Sequence, residues 1–215
     1  MTESAAPNSK DPIYRLLQKK DCPEVIDLMQ KSNIPVGGLY CRSIYKALCR
    51  QALKDKRIVF GVVEYEFKLI GMIIAIIDWN RFWTLFLLRH PLLALRISFR
   101  RLLRKAGMGV AKIDYDEEQL KTVEPYLTNT LADRSWKDSS PQIAKAIFLM
   151  VDPEYRRLKI GLGLNRLRDQ ILMERGVKRY DGWVEMHRIP QIHLLHKTGF
   201  LIDRRSDKFF VSKDL

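Results

Sequence analysis

Residues 151–163, VDPEYRRLKIGLG, set Arg156, Arg157 and Lys159 beside Gly161 and Gly163, between a hydrophobic run and an amphipathic one. Bare backbone and positive charge at the start of a helix suit an anion, because the first-turn amides lack intrahelical acceptors and the helix dipole favours negative charge there. The same residues also read as a glycine-containing turn with solvated cations, so the stretch alone leaves both readings open. A second group lies at 183–187, where alternation along a strand puts Trp183, Glu185 and His187 on one face. If that face looks into a cleft, Glu185 or His187 can take a proton from a bound ligand, directly or through water. Asp78, closing another strand, is a further carboxylate candidate, and His196 in HLLHKTGF offers an imidazole as proton donor. His187, His193 and His196 do not have a zinc-ligand spacing, and no metal is expected. The three cysteines, Cys22, Cys41 and Cys49, form no CxxC and read as reduced thiols.

The elements that must position these groups follow from periodicity. A short strand is expected over 13–21, with Asp21 capping a helix that has Pro23 in its first turn and Glu24 three residues on. A second helix fits 41–54, and strands fit 57–65 and 68–78, joined by a tight turn at EF. The uncharged run 69–77 suits a strand buried on both faces. Past 79–143 come a buried strand at 145–151, a helix over about 162–175 ended by Gly176, a strand at 179–187, a short helix at 190–198, and two closing strands. This order predicts an α+β fold: a mixed, mostly antiparallel sheet flanked by helices in three layers, with a helical insertion between the third and fourth strands. Residues 1–12 read as a flexible tail and 13–215 as one domain carrying the insertion 79–143.

Charge is unevenly spread over the 215 residues, whose formal net charge is +13. Residues 79–113 hold Arg81, Arg89, Arg96, Arg100, Arg101, Arg104, Lys105 and Lys112 and no acid, ahead of an acidic cluster at Asp114, Asp116, Glu117 and Glu118. Such a field favours anionic partners. Within it, 90–105 reads as an amphipathic helix with Pro91 in its first turn, and Leu92, Leu95, Phe99, Leu102 and Leu103 fall on one side. Three readings follow: a helical pair packed on the sheet, an interfacial element at 81–105 that touches anionic membrane, or a lid whose arginines bind an acidic acceptor. No nucleic-acid recognition module is present, so nucleic acid is not an expected partner. The N-terminal MTESAAPNSK lacks a signal-peptide h-region, which points to the cytoplasm, with membrane contact at most peripheral.

VDPEYRRLKIGLGLNRL resembles the coenzyme A signature of the GNAT superfamily of acyl-CoA-dependent N-acyltransferases, a strand, V-x-P-E-Y-R, a glycine-containing pyrophosphate loop and a helix. Val151, Pro153, Glu154, Tyr155 and Arg156 match in turn, and HLLHKTGF (193–200) resembles the family's helix ending in Gly-Phe. The resemblance covers most of the chain outside 79–143 and implies acetyl-CoA as co-substrate and a primary amine as acceptor. It assigns the pantetheine arm to the backbone of Leu149 and Val151. It assigns the pyrophosphate to the amides of Lys159, Ile160, Gly161, Leu162 and Gly163, with Arg156 and Arg157 close by. Lys159 stands where the family's loop has its first glycine; a frame shifted to Gly161-x-Gly163 restores both glycines but loses the alignment of Pro-Glu-Tyr-Arg. Leu195 stands where the family often has its tyrosine proton donor, and Arg188 where it has an asparagine. These departures favour the alternative of a non-catalytic protein that binds coenzyme A or a membrane surface. A longer acyl chain housed by the apolar 81–103 region is a third reading.

Overall fold

A computed structural model describes residues 11–32, 41–105, 117–128, 130–206 and 208–215, except for the side chains of 100–105, 117 and 119. Its centre is a seven-stranded sheet in the order β1-β2-β3-β4-β5-β7-β6, formed by β1 (Ile13–Leu16), β2 (Ile58–Tyr65), β3 (Lys68–Ile77), β4 (Ile143–Val151), β5 (Arg179–Glu185), β6 (Leu201–Arg205) and β7 (Lys208–Asp214). All neighbouring pairs are antiparallel except β4 and β5. The helices are α1 (Cys22–Lys31), α2 (Arg42–Ala52), α3 (Trp79–Arg89), α4 (Pro91–Lys105), α5 (Glu117–Lys121), α6 (Ile160–Glu174) and α7 (Ile189–Lys197). This is the expected α+β architecture, with the helical insertion between β3 and β4. The tail expected at 1–12 lies outside the described residues except for Asp11 and Pro12.

Apolar clusters fill both sides of the sheet. One joins α1 and α2 to Phe60, Met72 and Ile74 and continues into Phe82, Phe86, Leu93 and Ile97 of the insertion. Another gathers Leu172, Tyr180, Ile192, Phe200, Phe209 and Val211 under α6 and α7. The β2–β3 turn needs no glycine because Glu66 and Phe67 themselves adopt positive φ, 49° and 63°. Gly176 ends α6 with φ 73°, and the Val177 amide reaches back to the Leu172 carbonyl at 3.0 Å.

The first strand is shorter than predicted, ending at Leu16, and Lys19–Asp21 forms a 3-10 turn. The predicted capping box at Asp21 and Glu24 is also corrected. Asp21 makes no side-chain cap bond to α1; its carboxylate takes Arg15 Nη1 at 2.6 Å and the Gln18 amide at 2.7 Å, the latter as part of a capping box on the 3-10 turn. Glu24 accepts from the Leu69 amide at 2.7 Å, tying α1 to the first residues of β3. Pairing with a guanidinium satisfies the nearly buried Asp21 carboxylate better than one cap amide would. Burial alone would raise its pKa, but Arg15 and the Gln18 amide hold it below the usual carboxylate value.

Candidate functional site

β4 and β5 run side by side for only three register pairs, Ile143 with Arg179, Ala144 with Tyr180 and Lys145 with Asp181. Beyond Lys145 they part, although β4 is the middle strand of the sheet. A buried ion pair marks the parting point. Lys145 Nζ lies 2.7 Å from Asp181 Oδ2, and neither side chain is exposed. Ser212 Oγ donates to Asp181 Oδ1 at 2.6 Å, Arg179 Nε reaches Oδ2 at 3.2 Å, and the Lys145 ammonium sits 5.0 Å from the Trp136 ring centroid. Burial pushes the Lys145 pKa down, against the pull of Asp181. The sequence carries one signal of this pair, the lone charge of Lys145 in the otherwise apolar β4, and nothing local that names Asp181 as its partner.

Past the pin, β4 carries a bulge: Ile74 faces Phe148 while the next residue, Ala75, faces Ala146. The Asp152 amide bonds across to the Ile70 carbonyl at 2.7 Å, so by alternation the amides of Leu149 and Val151 point the other way, toward the missing partner. Between the parted strands lies a cleft of 750 Å³ walled by 147–153 of β4 and the turn after it, by Trp183, Glu185, His187 and Arg188, by Gln191 and Leu194 of α7, and by the end of α1. Arg156 and Gly161 line it as well.

At the cleft's α6 end, Lys159 is the N-cap in left-handed conformation, φ 58°, and Arg157 has φ 77°. Both conformations are costly for residues with a Cβ, and such strain gathers at functional sites. Lys159 thus holds the backbone shape that a glycine would hold without strain. The two glycines have different tasks. A Cβ at Gly161 would come within 3.0 Å of Leu194 Cδ2, across the cleft floor, whereas one at Gly163 would stand 2.2 Å from Tyr14 Cζ. Gly163 therefore serves packing against β1, which favours the frame that aligns Pro-Glu-Tyr-Arg. The predicted cradle also narrows. The amides of Leu162 and Gly163 already donate to the Lys159 carbonyl at 3.0 and 3.2 Å, which leaves Ile160 and Gly161 as the first-turn amides free of helical acceptors. The Ile160 side chain is buried in the core below.

The predicted face of β5 does look into the cleft. His187 Nε2 stands 3.6 Å and Arg188 Nε 3.8 Å from Glu185 Oε2, all three side chains partly exposed. His196 is not brought there: its ring stacks on Tyr126 with centroids 4.1 Å apart, because α7 turns that side away from β4. Asp78 is also outside, accepting from Ser139 Oγ at 3.1 Å where α3 begins. Leu195 is buried in the core, and its neighbour Leu194 fronts the cleft instead.

No protein-family profile matches the chain, and no curated protein sequence matches it. Solved structures do. A GNAT-family acetyltransferase from Streptococcus pneumoniae superposes with TM-score 0.57 at 10% identity, over 95% of this chain and 100% of that one. The PaiA N-acetyltransferase of Thermoplasma acidophilum, in complex with coenzyme A, gives 0.52 at 15% identity, over 95% and 99%. YncA from Salmonella typhimurium, with acetyl-CoA, gives 0.56 at 13% identity, over 96% and 95%. Strand order, parted central strands and whole-length superposition agree: this chain has the GNAT acetyltransferase fold.

Proposed function

We propose that this chain is an acyl-CoA-dependent N-acyltransferase that moves an acetyl group from acetyl-CoA to a primary amine within a ternary complex. The observation that carries it is the parting of β4 from β5, which opens a cleft ending at the cationic start of α6. The residues present fit the co-substrate. Outward amides of Leu149 and Val151 accommodate an extended pantetheine arm as an added strand. Ile160 and Gly161 amides, with Arg156, Arg157 and Lys159, suit a pyrophosphate. The co-substrate supplies a thioester carbonyl open to attack by an amine.

The chain's own groups then manage protons and charge. Glu185, with His187 and Arg188 beside it, accepts the proton lost by the amine as the C–N bond forms. An outward β4 amide stabilises negative charge on the carbonyl oxygen. As the C–S bond breaks, the thiolate takes its proton from water, because Leu194 and Leu195 have none to give. That last feature favours a second reading, a protein that binds coenzyme A without turnover. Apolar lining from Ile147, Phe148, Trp183 and Leu194 leaves room for an acyl chain longer than acetyl.

Calorimetric titration with acetyl-CoA and, in parallel, a long-chain acyl-CoA tests the site. Thiol release with a panel of amines then separates the readings. Binding with amine-dependent release supports the enzyme, and binding without release for any amine supports the second reading. No binding of either overturns both.

A further inference from the structure

The α3–α4 hairpin is apolar on two faces, and among the described residues only one of them packs into the fold. Phe82, Phe86, Leu93 and Ile97 face inward and join the core cluster of α1 and α2. On the outside, Leu88 is 72%, Leu92 77%, Leu95 68% and Phe99 60% exposed. Leu92, Leu95 and Phe99 recur at helical spacing, so they form one stripe along α4, with Leu88 just ahead of it at the end of α3. Large aliphatic and aromatic side chains gathered on one exposed face mark an interaction site in a soluble protein.

Charge selects the occupant. Arg81, Arg89 and Arg96 are exposed around the stripe, and residues 79–113 contain no acid. A second copy docked through a two-fold axis would bring these cations against their own equivalents, at a cost. An acidic lipid surface neutralises them. α4 has 15 residues, about 22 Å of helix, and among the described residues no helix is long and apolar enough to cross a membrane. A helix of this kind lies in the interface plane.

We propose that the α3–α4 hairpin is an interfacial anchor for anionic membranes. Leu88, Leu92, Leu95 and Phe99 enter the boundary between headgroups and acyl chains, and Arg81, Arg89 and Arg96 pair with acidic headgroups. The anchor does not depend on acyl transfer, so it stands or falls separately from the proposed enzyme activity.

The test is sedimentation of the full chain with vesicles of phosphatidylcholine alone and with 30% phosphatidylserine, a composition set at roughly the anionic fraction that raises surface potential enough for basic anchors to respond. Binding is expected to the anionic vesicles only and to weaken as salt rises. The double substitution L92E/L95E, on side chains already in water, is expected to abolish sedimentation while leaving the thermal melt unchanged. R89Q/R96Q is expected to weaken binding roughly 30-fold, at about a tenfold or less per lost cation. Equal binding to neutral vesicles, or none to anionic vesicles at low salt, overturns the proposal. So does wild-type self-association that L92E/L95E abolishes, which assigns the stripe to a second copy.

Discussion

The two ends of β4 have opposite fates. At Ile143–Lys145 the strand is paired on both edges and closed by a buried lysine–aspartate pair with its hydrogen bonds satisfied by Ser212 and Arg179. From Ile147 onward it keeps only β3, every side chain to Val151 is partly exposed, and its second edge faces a cleft. Strands part cheaply only where something holds the paired end in register. The contrast teaches that the ion pair and the cleft belong to one device: Lys145 and Asp181 stop the strands from opening further, and the bulge next to them re-aims the backbone that is left unpaired.

Breaking the closed end should have the largest effect. Lys145→Met leaves the buried Asp181 carboxylate with Arg179 as its remaining cation, at 3.2 Å, and should cost about 3 kcal/mol in a denaturant titration. Replacing both, as Lys145→Met with Asp181→Leu, should recover most of that loss. Recovery of stability without recovery of acetyl-CoA affinity would separate the positioning role of the pair from its contribution to folding.

The open end is broken next. Gly161→Asp puts a carboxylate where the cleft meets the α6 start and should weaken acetyl-CoA binding by about 100-fold or more, roughly 3 kcal/mol, by calorimetry. The melting temperature should shift little, since the nearest atom to the new Cβ is the flexible end of Leu194. Unchanged affinity would remove the anion site from α6.

Glu185→Gln tests the chemistry at the cleft mouth. In an amine-dependent assay kcat should fall about 100-fold with KM for acetyl-CoA nearly unchanged. A fall in affinity instead would make Glu185 a partner of His187 and Arg188 alone.

The smallest effect sharpens the loop. Lys159→Gly relieves a left-handed backbone and should raise stability by about 1 kcal/mol. Acetyl-CoA affinity should fall only a few-fold through the lost ammonium. A gain in affinity would mean that the lysine side chain crowds the anion site.

Much of this was legible before any coordinates. The uncharged run 69–77 reads as a buried strand, the apolar run after Lys145 reads as another, and the punctuation at Gly176 and Gly199 marks where helices stop. The Trp183–Glu185–His187 face followed from the period of a strand, a local property. Failures came where distant residues compete for one group. Asp21 and Glu24 had the spacing of a capping box, yet Arg15 and the Leu69 amide took their carboxylates. His196 had suitable chemistry but sits on the side of α7 that meets Tyr126. In α4 the heptad-like stripe was visible, but which apolar positions face the core was not, because Leu93 and Ile97 are as apolar as Leu92 and Leu95.

By itself, then, the sequence determined the order of strands and helices, the cationic loop before α6 and the acid-free insertion, since all of these rest on contacts between near neighbours or on composition. Only the tertiary structure decided where β4 and β5 part, that Lys145 meets Asp181, that Gly161 faces the cleft while Gly163 faces Tyr14, and that four large apolar side chains of the insertion remain in water. Each of these depends on register between segments far apart in the chain, which no local spacing specifies.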